Sequence, residues 1–81
     1  MRGIPLDAQT KEWFERRLHA DLDHIRVHTY PAAHAAARMI GADAFAIGDD
    51  IFFAARRYQP RGAAGRELLA HELTHCLQQR L

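Results

Sequence analysis

Apolar residues early in the chain recur at Phe14, Leu18 and Leu22, an i, i+4, i+8 spacing that lines one side of an α-helix, with Trp13 beside them. Glu12, Glu15, Arg16 and Arg17 occupy the rest of the turn, and the Asp7 carboxylate suits an N-cap, which predicts a helix over about residues 7–21. The period then changes to two. Ile25, Arg26, Val27, His28 and Thr29 alternate apolar with polar and are rich in β-branched residues, which predicts a short half-buried strand with Arg26 and His28 on one face. Pro31 has the fixed φ of a first helical position, and an alanine-rich stretch runs from it to Gly41, predicting a second helix over 31–40 with Met39 and Ile40 on its buried side. Two apolar runs at 44–47 and 51–54, separated by Gly48, Asp49 and Asp50, predict a hairpin. Residues 56–65, with Pro60 and Gly62, read as loop. Helical spacing returns over about 65–80, where Leu69, Leu73, Cys76 and Leu77 form the stripe. The order α, β, α, β, β, α predicts an α+β fold in which helices back a small sheet.

At 81 residues the chain makes a single domain, and one of that size buries only about 60% of the surface its unfolded chain exposes. A rigid site on so small a core calls for support beyond packing, such as a bound metal. With 48% apolar and 26% charged residues the composition is that of a folded globule rather than a disordered chain. The formal charge of +1 removes the electrostatic argument for nucleic acid or an anionic membrane surface as partner. Cys76 stands alone and closes no internal disulfide, which points to a reducing compartment. No run approaches the roughly 18 apolar residues of a membrane span, and residues 1–6 show no signal-peptide core, so a cytoplasmic start is expected.

Six histidines bring in candidate chemistry. His71, Glu72, Leu73, Thr74 and His75 spell H-E-x-x-H within the last predicted helix. The i, i+4 spacing stacks two imidazoles one turn apart, able to reach one tetrahedral ion, and sets Glu72 beside them as general base toward water, the arrangement of a zinc protease helix. Chance placement from this composition has a probability of roughly 0.02. Leu68, Leu69, Leu73 and Leu77 anchor the helix, so the histidines are expected at a partly shielded rim of the core. Cys76 lies on the apolar stripe, about 100° around the helix from His75, and reads as a buried inert thiol. Arg56, Arg57 and Arg61 read as a solvated loop, and Asp49 and Asp50 as turn residues.

Several stretches resemble the eCIS-core domain, a small bacterial domain associated with extracellular contractile injection systems. They are Gly3-Ile4-Pro5-Leu6, DLDHIRVHT at 21–29, Ala44-Phe45 with Ile47-Gly48 and Ile51-Phe52, Tyr58 with Pro60, and LLAHELTHCLQQ at 68–79. The resemblance runs in order over nearly the whole chain, and RVH at 26–28 and HELTHCLQQ at 71–79 are its most specific parts. It implies a zincin-like metallopeptidase with zinc as cofactor, His71 and His75 as ligands, Glu72 as catalytic base and a peptide or protein as substrate. It also implies a module carried within larger toxin-like effectors, made in the bacterial cytoplasm before any export, of which residues 1–81 are an excised or minimal version. The alternative is a non-catalytic, zinc-stabilised module that loads effectors through contact with injection-system components. Tyr30 departs from a commonly acidic position, Ala46 from a common threonine and Cys76 from a usual aliphatic.

A catalytic zinc of this kind needs a third protein ligand. Glu67 shares a face with His71 but lies eight residues, about 12 Å of rise, from His75. His28, at a predicted strand end and in the RVH motif, is the leading expectation. The alternation sets its side chain opposite Ile25 and Val27, so it reaches the ion only if the helix packs on that face. His24, His34, Asp43, Asp49 and a donor outside the chain stay open. Gln78 and Gln79 either hydrogen-bond a neighbouring strand or orient a ligand.

Overall fold

In the computed structural model, which describes residues 3–80, six elements follow in the predicted order. They are α1 (Ala8–Leu18), β1 (Arg26–His28), α2 (Pro31–Met39), β2 (Ala44–Ile47), β3 (Asp50–Phe53) and α3 (Ala63–Gln79). Residues 1 and 2, part of the stretch read above for a leader, lie outside the described residues, as does Leu81. The α+β class holds, with three helices and one three-stranded sheet.

Asp7 starts α1 as expected: its carboxylate accepts a hydrogen bond from the Thr10 amide at 3.1 Å. The helix stops at Leu18 because His19 turns left-handed, at φ 53°. Leu22 is thus buried from the following loop rather than from the helix. α2 ends in a Schellman arrangement, with Gly41 at φ +69° and amide bonds from Gly41 to the Arg38 carbonyl and from Ala42 to the Ala37 carbonyl, both 3.0 Å. Its buried side is Ala33 and Ala37. The expectation for Met39 and Ile40 is corrected here, since they are 87% and 62% exposed. Two methyl-sized side chains let the helix lie close against β3, and the bulky residues after them fall on the outside.

The sheet order is β1-β3-β2, with β1 parallel and β2 antiparallel to β3. Gly48 (φ +60°) takes the first central position of the two-residue hairpin turn, where glycine is favoured. Asp50 is the first residue of β3, opposite Ile47, so turn chemistry accounts for Asp49 and not for Asp50. Ile4 bridges to Val27 along the outer edge of β1, with 2.9 and 2.7 Å backbone bonds. β2 is left as the open edge among the described residues.

Parity along the strands assigns the two faces. Val27, Ile51 and Phe53 share one face and join Leu6, Phe14, Leu22, Ile25, Leu69, Leu73 and Cys76 in a single buried cluster, so α1 and α3 back that face. The opposite parity carries His28, Phe52 and Phe45, whose rings stack in sequence at 4.3 and 5.0 Å between centroids. Among the described residues no helix is long and apolar enough to cross a membrane.

Candidate metal centre

α3 buries Gly65, Leu69, Glu72, Leu73 and Cys76. At about 100° per residue, His71 and His75 each point some 200° away from Leu69 and Leu73. Both imidazoles are therefore exposed, not tucked into the rim of the core as the leucine pattern suggests. Their Nε2 atoms approach to 3.1 Å, with ring centroids 4.6 Å apart. Two ligands of a tetrahedral zinc, each about 2.0–2.1 Å from the ion, stand about 3.3–3.4 Å apart. The pair is thus within a few tenths of an ångström of a bidentate clamp, and imidazole nitrogen is a donor zinc accepts.

Glu72 sits on the flank of the helix between the histidines and the core and is only 5% exposed. Its carboxylate has no hydrogen-bond partner among the described residues. Burial pushes its pKa above the usual carboxylate value, against the pull of nearby His71 and His75. A carboxylate whose pKa is raised by burial is suited to accept a proton beside the clamp.

The structure does not bring His28 to this pair. It lies 7% exposed on the sheet face opposite α3, and both ring nitrogens are engaged, Nδ1 with the Tyr30 hydroxyl and Nε2 with the Asp50 carboxylate, each at 2.7 Å. Gly3 closes over the ring, since a Cβ there would stand 2.6 Å from Nε2. The other upstream donors are placed apart as well. Asp43 pairs with Arg57 at 3.3 Å, and Asp49 with Arg80 at 3.2 Å and His24 at 3.6 Å. His34 lines a cleft with Thr29, Ala54, Arg56 and Tyr58. Gln79 turns out to hold the hairpin, its Oε1 accepting from the Gly48 amide at 2.7 Å. Cys76 is wholly buried and its thiol pKa is pushed up to about 11 by burial, as befits an inert position.

Sequence reasoning passed over one cluster. Oxygens of Glu15, Asp21 and Asp23 gather within 4.8 Å of one another. They are occupied in closing the α1–β1 loop: Glu15 accepts from the Leu22 amide and Asp21 from the Asp23 amide, both at 2.8 Å, while Asp23 pairs with Lys11.

Beside His71 opens a shallow cleft of about 360 Å³ lined by Ala64, Glu67, Leu68 and His71. It adjoins, across Ala64 and Leu68, a second hollow that reaches Arg56, Arg57 and Asp43 at the start of β2. A family model described as the eCIS core domain matches residues 5–81. The chain belongs to the eCIS core domain family. No curated protein and no solved structure matches it significantly. The matched residues 5–81 of this eCIS core domain include both RVH in β1 and HELTH in α3, which the fold sets on opposite sides of the sheet. The Tyr30 hydroxyl bears directly on His28 and not on the α3 pair.

Proposed function

We propose that this eCIS core domain is a zincin-like peptidase module in which His71 and His75 hold zinc and Glu72 is the general base. The observation that carries this reading is the 3.1 Å pair of imidazole nitrogens on one helix beside a buried carboxylate with no hydrogen-bond partner among the described residues. When bound, zinc supplies a Lewis acid that polarises a peptide carbonyl and acidifies water. Glu72 accepts the proton that water gives up and passes it to the departing amine. The substrate is an extended polypeptide. The Ala54 amide bonds to the Asp43 carbonyl at 2.9 Å, which by antiparallel alternation turns the backbone N–H and C=O of Ala44 and Ala46 away from β3. Those groups are suited to pairing with a substrate strand, and the cleft from Asp43 to His71 leads such a strand to the clamp.

The test is zinc reconstitution followed by cleavage of a peptide library. The parent protein is expected to take up zinc and cleave, and Glu72→Gln to retain zinc while losing at least ~10²-fold in activity. Equal activity of the two proteins removes Glu72 from the chemistry. A second reading rests on the ligand count, which is two among the described residues where a catalytic zinc takes three protein donors. On that reading the domain is a non-catalytic module that contacts contractile injection system components, and neither protein cleaves any member of the library.

A further inference from the structure

A tetrahedral zinc takes four donors, and α3 offers two. Every other His, Cys, Asp and Glu among the described residues fails to join them, for no group of three that includes His71 or His75 brings its donor atoms within 4.8 Å. The failure is built into the fold. His28 is fixed on the far face of the sheet, Cys76 points into the core, and Asp43 and Asp49 are held by arginines. The described residues therefore leave two positions unfilled on an ion that this pair would hold.

We infer that His71 and His75 form half of a metal site and that a second copy of the chain supplies the other half. One zinc is held by four imidazole nitrogens, two from each of two α3 helices related by a twofold axis. The exposed side of the helix permits the approach. Around the histidines it carries Ala64, Thr74 and Gln78, short or uncharged side chains, and Glu67 is its one charged residue. When two antiparallel helices cross midway between His71 and His75, the two Glu67 side chains stand about 18 Å apart along the axis. No like charges meet. Each Glu67 instead comes level with the Gln78–Gln79 end of the other helix, where the Gln78 amide can donate to its carboxylate.

The inference rests on the proposed zinc ligation and adds regulation to it. A zinc with four histidine ligands has no open position, so the shared ion is a closed, inactive state, and the proportion of zinc to protein sets how much of the chain is held in it.

Sedimentation velocity of the metal-free 81-residue chain during zinc titration tests this. The expected result is conversion of a 9.2 kDa monomer to a species of twice that mass, complete at one zinc per two chains. Cobalt in place of zinc should show the intense visible absorption of a tetrahedral site at the same ratio. His71→Ala and His75→Ala should stay monomeric, while Glu72→Gln should dimerise like the parent. A monomer binding one zinc per chain from the first addition overturns the shared site and leaves the peptidase reading standing if it cleaves. A zinc-dependent dimer whose chain cleaves nothing at any zinc ratio upholds the shared site and removes the peptidase reading. Dimerisation that persists in a chain carrying both His71→Ala and His75→Ala, or an absence of zinc uptake by the parent, also overturns it.

Discussion

Replacing Glu72 with glutamine should make the zinc-free protein more stable even as it removes the proposed base. Glu72 is 5% exposed, its carboxylate lacks a hydrogen-bond partner among the described residues, and burial raises its pKa despite the two adjacent imidazoles. Leaving an enclosed polar group unsatisfied costs on the order of 1–3 kcal/mol, and the Glu72 oxygens, which are not among the fully enclosed unpaired atoms, stand at the lower end of that range. Glutamine keeps the shape and loses the charge, so a net gain of about 1 kcal/mol is expected. In a domain of this size that raises the melting temperature by about 4–8 °C. The sign of the pH dependence follows from linkage. Because the folded-state pKa lies above the ordinary 4.5, the protonated acid's contribution is full below 4.5 and is lost as pH rises through the folded-state value. The advantage of Glu72→Gln should therefore be small near pH 4 and fully developed near pH 8. Calorimetric melts of both proteins in chelator at about those two pH values decide the matter. Equal melting temperatures near pH 8, or a gap as wide near pH 4, would show that the carboxylate is not strained by its burial.

His28→Ala removes two 2.7 Å contacts and the stack on Phe52, so denaturant unfolding should register a loss of about 2 kcal/mol. Zinc affinity by competition should not change, and a tenfold fall would restore His28 as a ligand. At Gly65 the usual gain of about 1 kcal/mol from alanine in a helix should reverse, because a Cβ would stand 1.9 Å from the Gln59 carbonyl oxygen; a Gly65→Ala protein that melts higher than the parent contradicts the close loop–helix contact. Cys76, with its thiol buried and its pKa about 11, should resist a thiol reagent near pH 8 until urea is added. The stabilising contribution of its neutral form, present below 9.0, should fade as pH rises towards 11.

The element order was legible because each segment carries one clear period and each junction its own signal. Asp7, Pro31, Gly41 and Gly48 all act where their chemistry says they should. What pattern could not reach was anything that depends on which partner an element meets. Met39 and Ile40 look like anchors on composition, but the approach of α2 to β3 is governed by Ala33 and Ala37. Asp50 looks like a turn residue by position, yet its carboxylate is spent on His28, twenty-two residues away. Gly65 gives no local signal at all, since only the crossing of the Gln59 backbone explains it.

The site divides along the same line. Helical spacing alone puts His71 and His75 on one row, and the same arithmetic, applied to Leu69 and Leu73, puts that row on the solvent side. Leucines flanking a motif show that a helix is anchored, not that the motif faces the anchor. The third ligand was undecidable for a different reason. Alternation fixes His28 opposite Val27, but whether α3 covers the Val27 face or the His28 face is a property of the sheet as a whole, and the burial of Val27 and Ile51 with Leu69 assigns it to the former. Glu72 follows from both arguments. It shares a helical row with Cys76, so a helix that buries Cys76 must draw the carboxylate inward while the histidines one residue before and three after remain outside. The position of Glu72, the proposed base, is thus set by this chain's own core, whereas the coordination of any ion at the histidines depends on what comes to lie against the outer side of α3.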